Sequence, residues 1–121
     1  VETAADKPLF RDGMKQRRCL IPASHYFEWE KRDGKRVKYA IRPAHADTLY
    51  LAGIYHFENH GGVTVPSFVI LTREAAPDIA FIHNRMPVIL SEERAADWLN
   101  PDNDAEEVIR AALQDMEYRS V

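Results

Sequence analysis

Apolar and polar positions alternate most clearly over residues 19–30, CLIPASHYFEWE, which read as one strand rich in aromatic and apolar side chains. Arg32-Asp33-Gly34-Lys35 then places Asp-Gly at the centre of a hairpin turn, and residues 37–42 alternate as the return strand, ended by Pro43. Residues 49–57 are almost continuously apolar, which predicts a central strand or one covered on both faces. Asn59-His60-Gly61-Gly62 reads as a turn, and residues 66–72 as a fourth strand. Residues 86–90 make a short strand, and residues 118–121 begin another.

Between the strands the period changes. Residues 3–16 read as helical or irregular, with Thr3 as a cap, Ala4 and Ala5 favouring helix, and Pro8 and Gly13 limiting it. Residues 73–82 predict a short helix with Pro77 in its first turn. Ser91 caps a helix through Leu99, with Glu92 and Glu93 where the helix dipole favours them, and Asn100-Pro101 stops it. Asp104 with Glu107 three residues on is a capping-box-like start for a last helix, whose apolar stripe is Ile109, Ala112, Leu113 and Met116. The pattern is that of an α+β fold with mostly antiparallel strands and peripheral helices.

At 121 residues the chain is read as one domain, residues 1–121, with a single modest core. No apolar run approaches the roughly 20 residues of a membrane helix, so no membrane partner is expected. The single cysteine, Cys19, excludes an intrachain disulfide and fits a reducing, cytoplasmic setting. The formal net charge is −3, but its distribution changes the picture. Residues 11–42 carry ten Lys/Arg against four Asp/Glu, and residues 91–121 carry three Arg against nine acidic residues. Such segregation marks either an anion-binding face or two solvated surfaces of opposite sign.

Few residues carry candidate chemistry. Glu28, between Phe27 and Trp29, is either a carboxyl of raised pKa suited to proton transfer or the outward residue of a half-buried strand. Alternation puts it on one face with Tyr26 and Glu30, with Phe27 and Trp29 turned into the expected core. His83, beside Arg85, is either a general acid–base or a helix-terminal histidine. Cys19 follows Arg17 and Arg18, whose charges would lower its pKa if close, yet it opens an apolar strand and reads better as a core thiol. His56 and His60 straddle a strand end and a turn without a third ligand at a known spacing, so no zinc site and no other metal is expected. The aromatics interleaved with basic residues over 26–42 suit either stacking on unpaired bases or core packing.

Taken in order, Arg17-Arg18-Cys19-Leu20-Ile21-Pro22-Ala23, Tyr26-Phe27-Glu28-Trp29, Ile70-Leu71-Thr72 and His83-Asn84-Arg85-Met86-Pro87-Val88-Ile89-Leu90 resemble the SRAP (SOS-response-associated peptidase) family. The resemblance runs across essentially the whole chain, and Val1-Glu2-Thr3 looks like the residues following that family's Asn-Ala-Arg motif. It implies a curved sheet or partial barrel, no cofactor, and a DNA-repair function. Members bind single-stranded DNA and crosslink to abasic sites through an N-terminal cysteine exposed by autoproteolytic removal of the initiator methionine. By motif, Glu28 matches the acid–base glutamate and His83 the active-site histidine, while Thr72 and Arg85 match positions that contact the DNA backbone. Cys19 falls in the interior Arg-Cys-Leu block and is not the nucleophile. The chain is accordingly expected to be the central to C-terminal part of such a domain and inactive in crosslinking by itself. Two other readings stand beside this one: a non-catalytic single-strand-binding module using the basic 11–42 face, and a cysteine hydrolase pairing Cys19 with His25 or His83.

Overall fold

The apolar run at 49–57 becomes the axis of the molecule. It lies in β4 (Leu49–His60), twelve residues long, in a computed structural model that describes residues 8–121. The expected cap at Thr3 and helix-favouring Ala4 and Ala5 lie outside the described residues. β4 pairs along one side with β1 (Arg18–Ala23) and along the other with β5 (Val63–Ile70) and the short β8 (Ile89–Leu90), always antiparallel. Covered on both sides in its first half, β4 buries Leu49, Leu51, Ala52, Gly53 and Ile54 in succession. That is why its sequence lacks alternation there. Gly61 and Gly62, both at positive φ, close the β4–β5 hairpin.

A second sheet orders β2 (Tyr26–Arg32), β3 (Lys35–Pro43) and β9 (Met116–Ser120), also antiparallel. Asp33 and Gly34 take φ of 50° and 76°, so the expected Asp-Gly turn is formed. A third, two-stranded sheet pairs β6 (Thr72–Glu74) with β7 (Arg85–Pro87). Among the described residues three helices flank the strands: α1 (Pro8–Gln16), α2 (Glu92–Leu99) and α3 (Ala105–Arg110). Ser91 and Asp104 cap α2 and α3 as expected, accepting from Arg94 N and Glu106 N.

The core has two lobes. One gathers Met14, Ala52, Ile54, Val88, Leu90 and Ala105 around the fully buried Trp98 of α2. Its indole Nε1 donates to Cys19 O at 3.0 Å and Gly53 O at 3.2 Å, so the ring seats where β1 and β4 meet. The other lobe, with Ile41, Leu51, Ile79, Ile82, Met86 and Met116, fills the space between the large sheet and the three-stranded one.

Three expectations are corrected. Residues 19–30 are two strands in two sheets, parted at Ser24 and His25, whose side chains bond each other at 2.8 Å. Residues 73–82 are not a helix: β6 takes the start, and the rest is a chain of turns held by Ile79 N–Ala76 O and Ile82 N–Ile79 O bonds. Those bonds span three residues, and the four-residue His83 N–Ile79 O bond that closes the segment is long at 3.4 Å, so the chain forms 3₁₀-type turns rather than an α-helical ladder. Finally, α3 ends at Arg110, and Met116, expected on its stripe, begins β9.

Candidate functional site

The three-stranded sheet has two unlike faces. Cross-strand register puts Tyr26, Glu28, Glu30, Tyr39, Ile41 and Tyr118 on one face and Phe27, Trp29, Arg36, Lys38, Ala40 and Arg119 on the other. Tyr26, Tyr39 and Ile41 pack into the second core lobe, so the Glu28 face is the inner one. Phe27 and Trp29, expected in the core, are instead 44% and 39% exposed. They sit on the opposite face from Glu28 and do not enclose its carboxylate. Lys38 covers them, its Nζ 4.3 Å from the Phe27 ring centroid and 5.4 Å from that of Trp29, and the Arg36 guanidinium lies 5.6 Å from the Trp29 ring. These are cation–π contacts, available to an aromatic ring even at the surface.

On the inner face Glu28 Oε1 accepts from Trp29 N at 3.2 Å, which orients the carboxylate at the strand surface. Burial, and then the charge of Glu28, hold the neighbouring Tyr26 phenol above its ordinary pKa. Glu30, two residues on, is the one charged residue buried among those described. Arg32 Nη2 lies 2.9 Å from its Oε1, and the Tyr39 hydroxyl donates to Oε1 at 3.4 Å. Nothing in the sequence pattern singled out Glu30; its partners Arg32 and Tyr39 become legible only with the β2–β3 register.

His83, Thr72 and Arg85 come together on the β6–β7 hairpin. Thr72 opens β6, Arg85 opens β7, and His83 lies on the approach to β7. Arg85 Nη2 donates to Thr72 O at 2.9 Å and to Thr72 Oγ1 at 3.2 Å, so the threonine aims the guanidinium. Arg85 N donates to His83 Nδ1 at 3.1 Å. In the neutral ring that bond leaves the proton on Nε2, which then presents a donor outward.

Among the described residues no hydrogen bond links Glu28 to His83. The two halves meet through aromatic rings instead. Tyr39 lies directly opposite Glu28 in the β2–β3 register, and its ring packs edge-on against Phe81, centroids 5.6 Å apart, two residues before His83.

The other candidates are placed elsewhere. Cys19 pairs with Gly53 in the large sheet, and burial raises its thiol pKa. The neighbouring arginines turn away to backbone carbonyls: Arg17 Nε bonds Tyr55 O at 2.9 Å, and Arg18 bonds Asn100 O at 3.0 Å and Asn103 O at 2.8 Å. Neither His25, bonded to Ser24, nor His83 is hydrogen-bonded to Cys19 among the described residues. His56, Glu58 and His60 share a strand face, with each histidine Nε2 at 2.9 Å from a different Glu58 oxygen. His60 and then His56 thereby hold the Glu58 carboxyl below its ordinary pKa. No three metal-ligating side chains are grouped to hold an ion among the described residues.

Comparison with known proteins settles the family. The sequence profile of the SOS response associated peptidase (SRAP) family matches residues 1–121. The chain belongs to the SRAP family. Its SRAP relatives include the Bacillus subtilis abasic site processing protein YoaM, 33% identical over 114 residues, a match covering 93% of this chain and 50% of YoaM. Chicken abasic site processing protein HMCES is 31% identical over 82% of this chain and 37% of its own length. A crystal structure from Bacteroides thetaiotaomicron superposes with a TM-score of 0.88 at 27% identity, covering 99% of this chain and 56% of that one. One from Bordetella bronchiseptica gives 0.80 at 28%, covering 62% of that chain. The α+β fold is thus the SRAP fold, and the chain spans about half the length of the curated relatives it matches.

Proposed function

We propose that this SRAP chain serves abasic-site processing in single-stranded DNA, with Glu28 and His83 moving protons and Thr72 and Arg85 holding the backbone beside the lesion. The observation that carries the reading is the β6–β7 hairpin. One short element supports the Arg85 charge, aimed by Thr72, and the His83 imidazole, tied to the Arg85 amide. Arg85 suits a phosphate through its planar, permanently charged fork.

The covalent step belongs to an N-terminal cysteine of the full-length protein. Its amine adds to the open-chain sugar aldehyde and water leaves, giving an imine. The thiolate then attacks the imine carbon, nitrogen takes a proton, and a five-membered thiazolidine ring closes. Glu28 assists opening of the sugar, and His83 hydrogen-bonds through Nε2 to the departing oxygen, which takes its protons from the condensing amine. Full-length protein incubated with single-stranded DNA bearing one abasic site is expected to form an adduct stable on a denaturing gel. Glu28→Gln should slow its formation about 100-fold, in the range of a lost general acid–base. No adduct, or one formed equally fast by Glu28→Gln, would refute the reading.

The outer sheet face favours a second reading, a non-catalytic single-strand-binding module. Phe27 and Trp29 with Lys38 and Arg36 combine exposed rings and cations, and a concavity of about 400 Å³ lined by His25, Arg119 and the Arg42–Glu117 ion pair continues that face. Salt-sensitive binding with no preference for abasic over intact strands would favour this alternative.

A further inference from the structure

An abasic nucleotide has no base to stack, so a protein that holds one must draw its stacking contacts from the neighbouring nucleotides. Beside His83 the fold presents rings suited to that task. Phe81 and Tyr118 are 44% and 46% exposed, and their centroids lie 5.1 Å apart. Each also packs on Tyr39, at 5.6 and 5.8 Å, so three elements (β3, the turn before β7, and β9) converge in one aromatic cluster. Tyr39 is the fixed member, buried and tied through its hydroxyl to Glu30, which Arg32 also holds. A ring braced in this way loses little freedom when a base lies on it.

Arg85 opens β7, four residues after Phe81 in the chain. An exposed ring and a guanidinium carried on one hairpin match a single strand, whose bases stack while its phosphates reach outward.

We infer that Phe81, braced by Tyr39 and flanked by Tyr118 at an interplanar angle of 66°, is the stacking platform for the unpaired base adjoining the abasic nucleotide. The platform deepens the function proposed above and rests on it. It would favour purines, whose larger rings cover more of the Phe81 ring, and tolerate either purine equally, because stacking reads no hydrogen-bond pattern.

The test is a double-mutant cycle on full-length protein carrying the Glu28→Gln substitution, which isolates binding from the covalent step. Binding to a single-stranded oligonucleotide with one abasic site is measured by fluorescence anisotropy. The same measurement is made on oligonucleotides whose base on one side or the other of the lesion is also removed. Phe81→Leu, which keeps apolar bulk but removes the ring, is expected to weaken binding about tenfold. It should have no further effect once the stacked base is gone, and Phe81→Trp should restore affinity. The salt slope should not change with Phe81→Leu, whereas Arg85→Ala should reduce it by about 0.7. Equal weakening on every oligonucleotide, or none on any, would refute the platform. If Arg85→Ala still reduced the slope, the proposed function would survive that refutation. Absence of binding to every oligonucleotide would overturn both.

Discussion

At the scale of single residues, environment separates groups that look alike in the sequence. Glu28 and Glu30 share a strand and a face, yet Glu28 accepts from a backbone amide, while Glu30 is buried and engaged by Arg32 and Tyr39. The first is the proton carrier of the proposed function, and the second holds a ring. Cys19 has two arginines before it and would pass for a reactive thiol, but both guanidinium groups bind carbonyls and burial raises its pKa. A thiol whose pKa is raised is mostly protonated at neutral pH, and the thiolate is the nucleophile. Iodoacetamide at neutral pH should therefore leave Cys19 unmodified in the folded protein and alkylate it fully in denaturant, as read by mass spectrometry. Rapid alkylation of the folded chain would restore the cysteine-hydrolase reading.

At the scale of elements, the β1–β4 contact is set by a missing side chain. A Cβ on Gly53 would lie 2.9 Å from Val69 O and 3.1 Å from the Cys19 sulfur. The carbonyl belongs to the paired strand and has little room to move, so Gly53→Ala should destabilise the protein by about 1–3 kcal/mol, measured by urea unfolding. The elements themselves were largely legible. The Asp-Gly turn, the caps at Ser91 and Asp104 and the apolar β4 all follow from local chemistry, and the structure contains each of them. Which face of β2 is inside was not legible. Alternation states which residues share a face, but not which face meets the core. Here the core lies under Tyr26 and Glu30, and Lys38 covers the aromatic face. The break at Ser24 was hidden for a similar reason, since both halves of residues 19–30 alternate in the same phase-tolerant way while serving different sheets. Of the candidate site, the motif blocks located His83, Thr72 and Arg85, but their meeting on one hairpin depends on the β6–β7 register. The Glu30–Tyr39–Phe81 connection depends on long-range packing that no local pattern encodes.

At the scale of the whole molecule, apolar surface is unevenly spread. Phe57, Val63, Val65, Phe68 and Val69 are all exposed on the β4–β5 hairpin, and β5 is the last strand of its sheet among the described residues. An unpaired edge bearing apolar side chains is a template for pairing with another chain. The 121-residue chain by itself is expected to self-associate with rising concentration, and Val65→Lys to suppress this, as followed by sedimentation velocity. A Val65→Lys variant that associated as strongly would place the contact elsewhere.

Arg18 gives the molecule a kinetic property. Its guanidinium bonds the carbonyls of Trp98, Asn100 and Asn103, more than 79 positions away along the chain, and lies 5.0 Å from the Trp98 ring. Contacts that close so long a loop tend to form late, after the transition state has been crossed. A latch of this kind governs how fast the native state is lost rather than how fast it is reached. Arg18→Met should leave the refolding limb of a chevron plot nearly in place and raise the unfolding limb. Arg18, which looked like part of a DNA-binding basic stretch, would then set the protein's lifetime against proteolysis.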